Sequence, residues 1–587
     1  MDWHLLLPDY ASPLSAAITR DDCNTLLREG AFNTPEAGIQ DEILRSYTQF
    51  IHPALPILDL ENFLMVINKN YTGGTRISFL LFQAVIFAAT AFESEESLAL
   101  EGFQNRREAR KTRFDRLKML YSFDCEDNRV TVLQTLLLMT YWDEKSDDLH
   151  DAHYFVGVAT TIWRSIETEP TGFEAELKRR QPELWKRITW SLYIRDRLVA
   201  INTRQPFHND EVDFRTPLLK ISDLEMGPLS TKWCLGNDGS HPAVRDPSMH
   251  RLLAQISICL VQLCKCITSI LNCQYTVGQA KSRPENTLNE VLVPKRVPPK
   301  SAELLLRDSE LEECHNSLPE LLRWYLSNPR HQINKHAELV LHFRAMLNGI
   351  YSLACSTLHR PQITSTNPRI PELVELSSQR VRSSAMAITQ TYTYFKQHCL
   401  QWLLPEGQVG MLKCAIITNL SDLESTSSLT RQVAMETFRL CARALKQLGD
   451  TYPSADQALN FVDAAVTKCP SPSQTKELPP SSPLDTEELG HNEQAVVDLA
   501  ASDGLDRVME PNIQQQVAHM STQTMGKLLC SHFMMTASER SMLQGLILPE
   551  ADNPDFYPEQ VSQQKEEEPR VLSCSPLERR WKYRFTS

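Results

Sequence analysis

The sequence predicts an all-α protein: two packed multi-helix lobes followed by a largely disordered acidic tail. Three observations carry that reading. Glycine is scarce, 19 in 587 residues, and apolar residues recur at three-to-four spacing over long runs. A break over residues 278–300 holds four prolines and parts the runs into two groups. Beyond Cys469 the composition turns to proline, serine and glutamate, which cannot build a core. The implied division is an extended lead-in over 1–34, an N-terminal lobe over 35–277, a linker over 278–300, a C-terminal lobe over 301–469 and a tail over 470–587.

Taken in order, Thr34, Pro35 and Glu36 combine a hydroxyl cap, a first-turn proline and an early acid, and predict a helix to about Ile51, stopped by Pro53. Asp59 caps a second helix through Ile67, and Gly73 and Gly74 break the chain before an apolar helix over 77–92. That run contains Gln83 and falls short of the ~20 residues a membrane span needs. It reads as buried core. A basic helix over 104–120 follows, carrying Arg106, Arg107, Arg110, Lys111, Arg113, Arg116 and Lys118. Its charges suit a solvent face, a phosphate contact or a nuclear import signal. Asp127 or Asn128 caps the next buried helix, whose stripe is Leu133, Leu136, Leu137, Thr140 and Tyr141, and 153–166 continues the pattern. After a loop over 223–246, helix resumes over 249–272. The second lobe has candidate helices over 301–327, 333–358, 372–403, 428–449 and 454–467. No fixed-period repeat supports a simple solenoid.

Residues 184–214, LWKRITWSLYIRDRLVAINTRQPFHNDEVDF, are the stretch around which the chain is arranged. The first half is apolar nearly all round, as befits a helix in the middle of a bundle. Arg195, Asp196 and Arg197 interrupt it, and buried charges need partners because desolvation is costly. Pro206 ends the helix, and Asp210, Glu211 and Asp213 follow, placed to return to the arginines. Arg195, Asp196, Arg197, Arg204, Asp210 and Asp213 are therefore the candidate residues of an internal polar lock.

The same stretch carries a family likeness, together with YTQFIHPALP at 47–56, LFQAVIFAATAF at 81–92, LYSFD at 120–124, LLLMTYW at 136–142, LHRP at 358–361 and DTYPSAD at 450–456. In their order these segments resemble the middle regulatory region of fungal zinc-cluster transcription factors, nearest to the cutinase transcription factor beta type. The resemblance implies a nuclear regulator of transcription, for a metabolic pathway or gene cluster, with an all-helical regulatory domain and no catalysis. It implies that the core holds a small effector or a partner protein, as a homo- or heterodimer if dimerisation is its mode. The tail would contact the transcription machinery or a co-regulator: 485–509 mixes acids with Val496, Val497, Leu499, Leu505 and Val508, a texture of activation segments as well as of solvated tails.

The family reads DNA with a six-cysteine cluster holding two zinc ions. Here the only cysteine before Cys125 is Cys23, so this chain is expected to carry no cofactor, and zinc is expected only if a longer N-terminus exists. Direct DNA contact is expected on the same condition. The alternative is a headless regulator that dimerises with, or masks, a DNA-binding family member.

Bulk properties point the same way. A net charge of −13 argues against a whole-chain nucleic-acid binder. The apolar start at Leu5, Leu6 and Leu7 is too short for a signal peptide, and scattered thiols suit a reducing compartment. Cys259, Cys266 and Cys273 recur every seven residues on a predicted helix, a spacing that suits small buried residues and not tetrahedral zinc. Asp147, Asp148 and Asp151 match the aspartate-rich pattern by which α-helical enzymes hold magnesium, a distant alternative that lacks a second acidic motif. His150 and His153 have no third metal ligand at a recognisable spacing. Arg579, Arg580, Lys582 and Arg584 interleave with aromatics near the C-terminus, and Ser471, Ser482 and Ser575 precede prolines as proline-directed kinase sites do.

Overall fold

A computed structural model describes residues 7–467 apart from 68–72, 143–150, 211–213, 225–246, 282–287, 325–334, 365–369, 406 and 424–427. Among the described residues there are seventeen α-helices, a few short 3-10 or π turns and one two-stranded hairpin, so the predicted helical class is the observed one. The tail over 470–587, including the candidate activation segment, the terminal basic cluster and the Ser-Pro sites, lies outside the described residues.

The lead-in holds a helix, α1 (Arg20–Arg28), where only extended chain was expected. Its signal is local: Thr19 Oγ1 accepts from Asp22 N, and Asp22 Oδ2 accepts from Thr19 N. It buries only Cys23 and Leu26, too few residues to show a period. Helix α2 (Ala37–Ser46) runs into a wider turn, Tyr47–Ile51, and α3 (Leu60–Ile67) starts where Asp59 Oδ1 accepts from Asn62 N at 3.2 Å.

Helix α4 (Phe79–Ala89) is buried at every residue, which is why it lacks an amphipathic pattern. It is packed by α2, by α6 (Arg106–Ser122) and by α7 (Arg129–Met139), with the short α5 (Glu95–Leu100) between α4 and α6. Asn128 caps α7, its Oδ1 accepting from Val130 N at 3.0 Å and Thr131 N at 3.3 Å. Because those amides head a buried helix, Asn128→Ala lowers stability by about 1 kcal/mol, read as a shift in the denaturant midpoint.

Helices α8 (Ala152–Thr168) and α9 (Gly172–Arg180) lead to α10 (Pro182–Thr203). The central position expected for α10 is the observed one: it packs on α8 and on α11 (Pro247–Gln274), and it also touches helices of the second lobe. By length and composition α11 could cross a membrane, but its apolar stretch is mostly buried inside the fold.

The predicted linker begins inside a strand. β1 (Tyr275–Lys281) pairs antiparallel with β2 (Leu288–Pro294), Tyr275 opposite Pro294. The hairpin joins the two halves: Leu292 N donates to Arg204 O at 2.7 Å, and Tyr275 Oη donates to Thr357 O at 2.9 Å. One continuous apolar core runs through both lobes.

Helices α12 (Ser301–Asn316), α13 (Lys335–Thr364), α14 (Pro371–Gln397), α15 (Gln408–Asp422), α16 (Ser428–Leu448) and α17 (Ser454–Thr467) complete the second half. The sequence reading missed α15. Pro405, Gly407 and Gly410 surround its start and read as loop, yet tertiary packing buries Met411, Leu412, Ala415, Ile416 and Leu420 on most of its faces.

Candidate functional site

A cavity of about 520 Å³ opens where the two halves meet. Five of the seven likeness segments reach it. Phe50 comes from 47–56, Phe92 from 81–92, Tyr141 from 136–142, Leu198 from 184–214 and Tyr452 from 450–456. The second half closes it with His342 and Met346 on α13 and with Gly410 and Met411 on α15. Its volume is that of ordinary small-molecule sites.

The cations in its wall are turned onto the protein. Arg195 donates from Nε to Thr140 Oγ1 and from Nη2 to Thr140 O, each at 2.7 Å, and its guanidinium lies 4.3 Å from the Tyr141 ring centre. Arg110 donates to Tyr141 O at 2.8 Å and packs on the rings of Phe87 and Tyr452. His342 sits edge-on to Phe50 and Phe92, with Nδ1 2.7 Å from Leu403 O. Burial pushes its pKa down to about 4, so the ring is neutral, Nδ1–H donates and Nε2 is left as an acceptor.

Directly behind the wall lies the polar lock, built differently from the expectation. Asp196 is paired within its own helix: it accepts from Arg197 NH1 at 2.6 Å. It also accepts from His208 N at 3.0 Å and Asn209 N at 3.2 Å. Arg197 in turn donates to Asn209 O at 2.6 Å and Thr268 Oγ1 at 2.9 Å, and lies between the rings of Tyr193 and Phe207. The chain after Pro206 does return to the charges, bringing backbone amides, a carbonyl and the His208 ring, whose Nδ1 lies 3.3 Å from Asp196 Oδ1. Asp210 is exposed, and Asp213 lies outside the described residues. Arg204 is exposed and ends α10 in the left-handed region at φ 59°, its carbonyl holding the hairpin. Backbone groups serve because a carboxylate accepting several N–H bonds is satisfied without a second acid.

The basic helix is largely internal. Arg113 is buried and donates to Thr90 Oγ1 at 2.8 Å, to Glu93 and to Glu101. Arg107 donates to Asp456 at 2.6 Å and to Gly449 O at 3.2 Å, binding the first half to the 450–456 segment. Exposed charge remains on Lys111, paired to Asp115 at 2.9 Å. The spacing of cations on a helix says nothing of which acids the fold brings to them: Arg110 and Arg113 are buried, Lys111 is exposed and the other four are half-buried.

Of the aspartate-rich pattern, Asp151 caps α8 through Tyr154 N at 2.8 Å, while Asp147, Asp148 and His150 lie outside the described residues. His153 bonds Pro206 O at 2.8 Å and lies beside the tilted His208 ring; burial first, and His208 second, lower its pKa. Cys259 and Cys273 are buried, and burial pushes both thiols up to about 11, as suits small apolar residues.

One constellation was not visible in the sequence. His359 is 3.1 Å from Ser377 Oγ through Nδ1 and 3.0 Å from Asp308 Oδ1 through Nε2. The order Asp–His–Ser is that of a nucleophile relay, and Cys355 brings a possible metal-ligand set within 4.8 Å. Both readings fail on the surroundings. Ser377 and His359 are fully buried, Arg380 holds Asp308 Oδ2 at 2.9 Å, and burial pushes the Cys355 thiol up to about 11. The charge there is already balanced, and the group ties α12, α13 and α14 together. LHRP at 358–361 flagged His359, but its partners stand 51 residues upstream and 18 downstream.

Burial raises the Asp308 carboxyl, but the His359 hydrogen bond and charge together with Arg380 outweigh it and hold its pKa below the ordinary value. Its stabilising contribution is therefore complete above the unfolded value of about 4 and is lost as pH falls through the depressed folded value. Asp308→Asn flattens the acid limb of an unfolding-against-pH curve; an unchanged acid limb would sink that assignment.

A profile of the fungal specific transcription factor domain matches residues 44–318. Cutinase transcription factor 1 beta of Fusarium vanettenii is 34% identical over 470 residues, 79% of this chain and 53% of that protein. Transcription factor cpaR of Aspergillus oryzae is 30% identical over 475 residues, 78% of this chain and 76% of that protein. Cutinase transcription factor 1 alpha of Fusarium vanettenii is 26% identical over 452 residues, 76% of this chain and 45% of that protein. The chain spans about half the length of the cutinase factors it matches. No solved structure matches it. With 30% identity to a transcription factor that it covers over 76% of its length, the chain belongs to the fungal transcription factor family.

Proposed function

We propose that this chain is the regulatory core of a nuclear fungal transcription regulator, acting on a metabolic pathway or gene cluster. The observation that carries the reading is the 30% identity with a transcription factor of which the chain covers 76%. In this role the helical core holds an effector or a partner protein, and residues 470–587 contact the transcription machinery or a co-regulator. DNA contact runs through a zinc cluster, supplied by further sequence N-terminal to this chain or by a partner subunit. The reading involves no catalysis.

The test is a fusion of the whole chain to a heterologous DNA-binding domain over a reporter, with a fluorescent tag for location. A nuclear fusion that changes output several-fold against the bare DNA-binding domain is expected. Output equal to that of the bare domain would overturn the reading. Recovery of a second, zinc-cluster family member on the native chain would favour the subunit route to DNA.

A further inference from the structure

Two helices from opposite halves place a pair of thiols side by side. Cys266 stands on α11, the last helix of the first half, and Cys314 on α12, the first helix of the second. The two helices pack along each other. Cys266 Sγ lies 3.8 Å from Glu310 O, the carbonyl one turn before Cys314 on α12. A helical side chain leans over the turn N-terminal to its own Cα, so Cys314 is directed over that same turn. The two thiols are hydrogen-bond partners.

Their surroundings set them apart from other cysteines of the fold. Both are half-buried, whereas Cys259, Cys264, Cys355 and Cys441 are buried, and burial pushes those four thiols up. The hydrogen bond with Cys314 holds the Cys266 pKa below its ordinary value against burial and the Glu310 charge, and the Arg307 guanidinium adds to the lowering. The same bond, together with burial, holds Cys314 up. A thiolate beside a protonated thiol has both the attacking sulfur and the one that resolves the product. Cys259 and Cys273 each stand seven residues from Cys266 on α11, about 10 Å along the axis, which is beyond the reach of a disulfide. Cys314 is the partner that remains.

We propose that Cys266 and Cys314 are a redox modification site, closed to a disulfide by hydrogen peroxide. The Cys266 thiolate attacks one peroxide oxygen and the O–O bond breaks. The departing hydroxide takes the proton that the thiol had released, leaving water and a Cys266 sulfenic acid. The Cys314 sulfur then attacks the Cys266 sulfur: the S–S bond forms, the S–O bond breaks, and the hydroxyl leaves with the Cys314 proton as a second water. Both sulfurs are oxidised, and one peroxide is reduced to two waters. The loop that this bond closes contains the β1–β2 hairpin, so oxidation ties the two halves at their junction. In a reducing compartment such a bond is transient, as suits a signal. The chemistry does not depend on the regulatory reading above, because the purified chain carries it alone.

The test titrates the purified whole chain, reduced and then freed of reductant, with hydrogen peroxide. Remaining thiols are blocked with iodoacetamide and the peptides are read by mass spectrometry. A peptide linked through Cys266 and Cys314 is expected, formed at about tenfold less peroxide than oxidises the exposed Cys399 and removed by dithiothreitol. Cys314→Ala leaves the Cys266 sulfenic acid to be trapped by dimedone, and Cys266→Ala leaves Cys314 unmodified at the same dose. Oxidation raises the guanidinium midpoint of the wild type, since the cross-link restricts the unfolded chain, and leaves that of Cys266→Ala unchanged. Should an alanine variant fail to fold, the linked peptide and the midpoint of the wild type decide alone. No linked peptide, a link of Cys266 to another cysteine, oxidation of Cys399 before Cys266, or equal midpoints for the oxidised and reduced chain would each overturn the proposal. A linked peptide with a silent reporter fusion keeps the redox site and sinks the regulatory reading. An active fusion without the link does the reverse.

Discussion

Asp196→Ala lowers the stability of the core by about 3–5 kcal/mol, the cost of leaving one member of a buried ion pair uncompensated. Asp196 is 1% exposed and Arg197 is 0% exposed, so water cannot take over the lost contacts. The substitution strips Arg197 of its acid and leaves the amides of His208 and Asn209 without their acceptor. Arg197 keeps Thr268 and Asn209 O, which limits the loss. Asp196→Asn retains one acceptor and falls between wild type and alanine. Guanidinium unfolding followed by circular dichroism measures the effect, as a lower midpoint at unchanged slope. Equal midpoints for wild type and Asp196→Ala would show that the lock is not a lock.

Arg113→Ala is expected to cost a similar amount, about 3–5 kcal/mol at neutral pH, for a related reason. Glu93 is 0% exposed, and Glu101 stands on the other side of the same guanidinium. Without Arg113 the two acids face each other across an apolar setting. The pH dependence gives this variant a signature. Burial raises the Glu93 carboxyl, outweighing the Arg113 hydrogen bond and charge that lower it. A raised folded pKa contributes stability that is present below the unfolded value of about 4 and is lost as pH rises through the folded one. Removing Arg113 raises the folded value further, so the deficit of the variant grows from pH 4 to pH 8 and shrinks on acidification. Stability curves at several pH values read this directly. A deficit independent of pH would mean that Arg113 acts by packing alone.

Much of the architecture could be read locally. The apolar run of α4, in which Gln83 is the one polar residue, marks it as buried, because such a run has no polar face to offer water. Asn128 announces α7 by a capping preference that works over three residues. Other elements were illegible for equally physical reasons. Helix α15 starts among proline and glycines and is helical because its neighbours bury it, and the hairpin over 275–294 is polar enough to pass for linker. The cavity could not be read at all, since Phe50, Tyr141, Asn202, His342 and Met411 share no spacing.

The sequence by itself determined the helical class, the central place of α10 and the need of Arg195, Asp196 and Arg197 for partners, because periodicity and the cost of desolvating charge act on near neighbours. It also determined the family, through the joint order of segments whose contacts the sequence does not show. Only the tertiary structure decided who those partners are. Thr140 reaches Arg195 from 55 residues upstream, Thr268 reaches Arg197 from 71 residues downstream, and the amides of His208 and Asn209 reach Asp196 from beyond Pro206. Any donor or acceptor at the right distance satisfies a buried charge, so its identity is set by the packing of helices far apart in the chain.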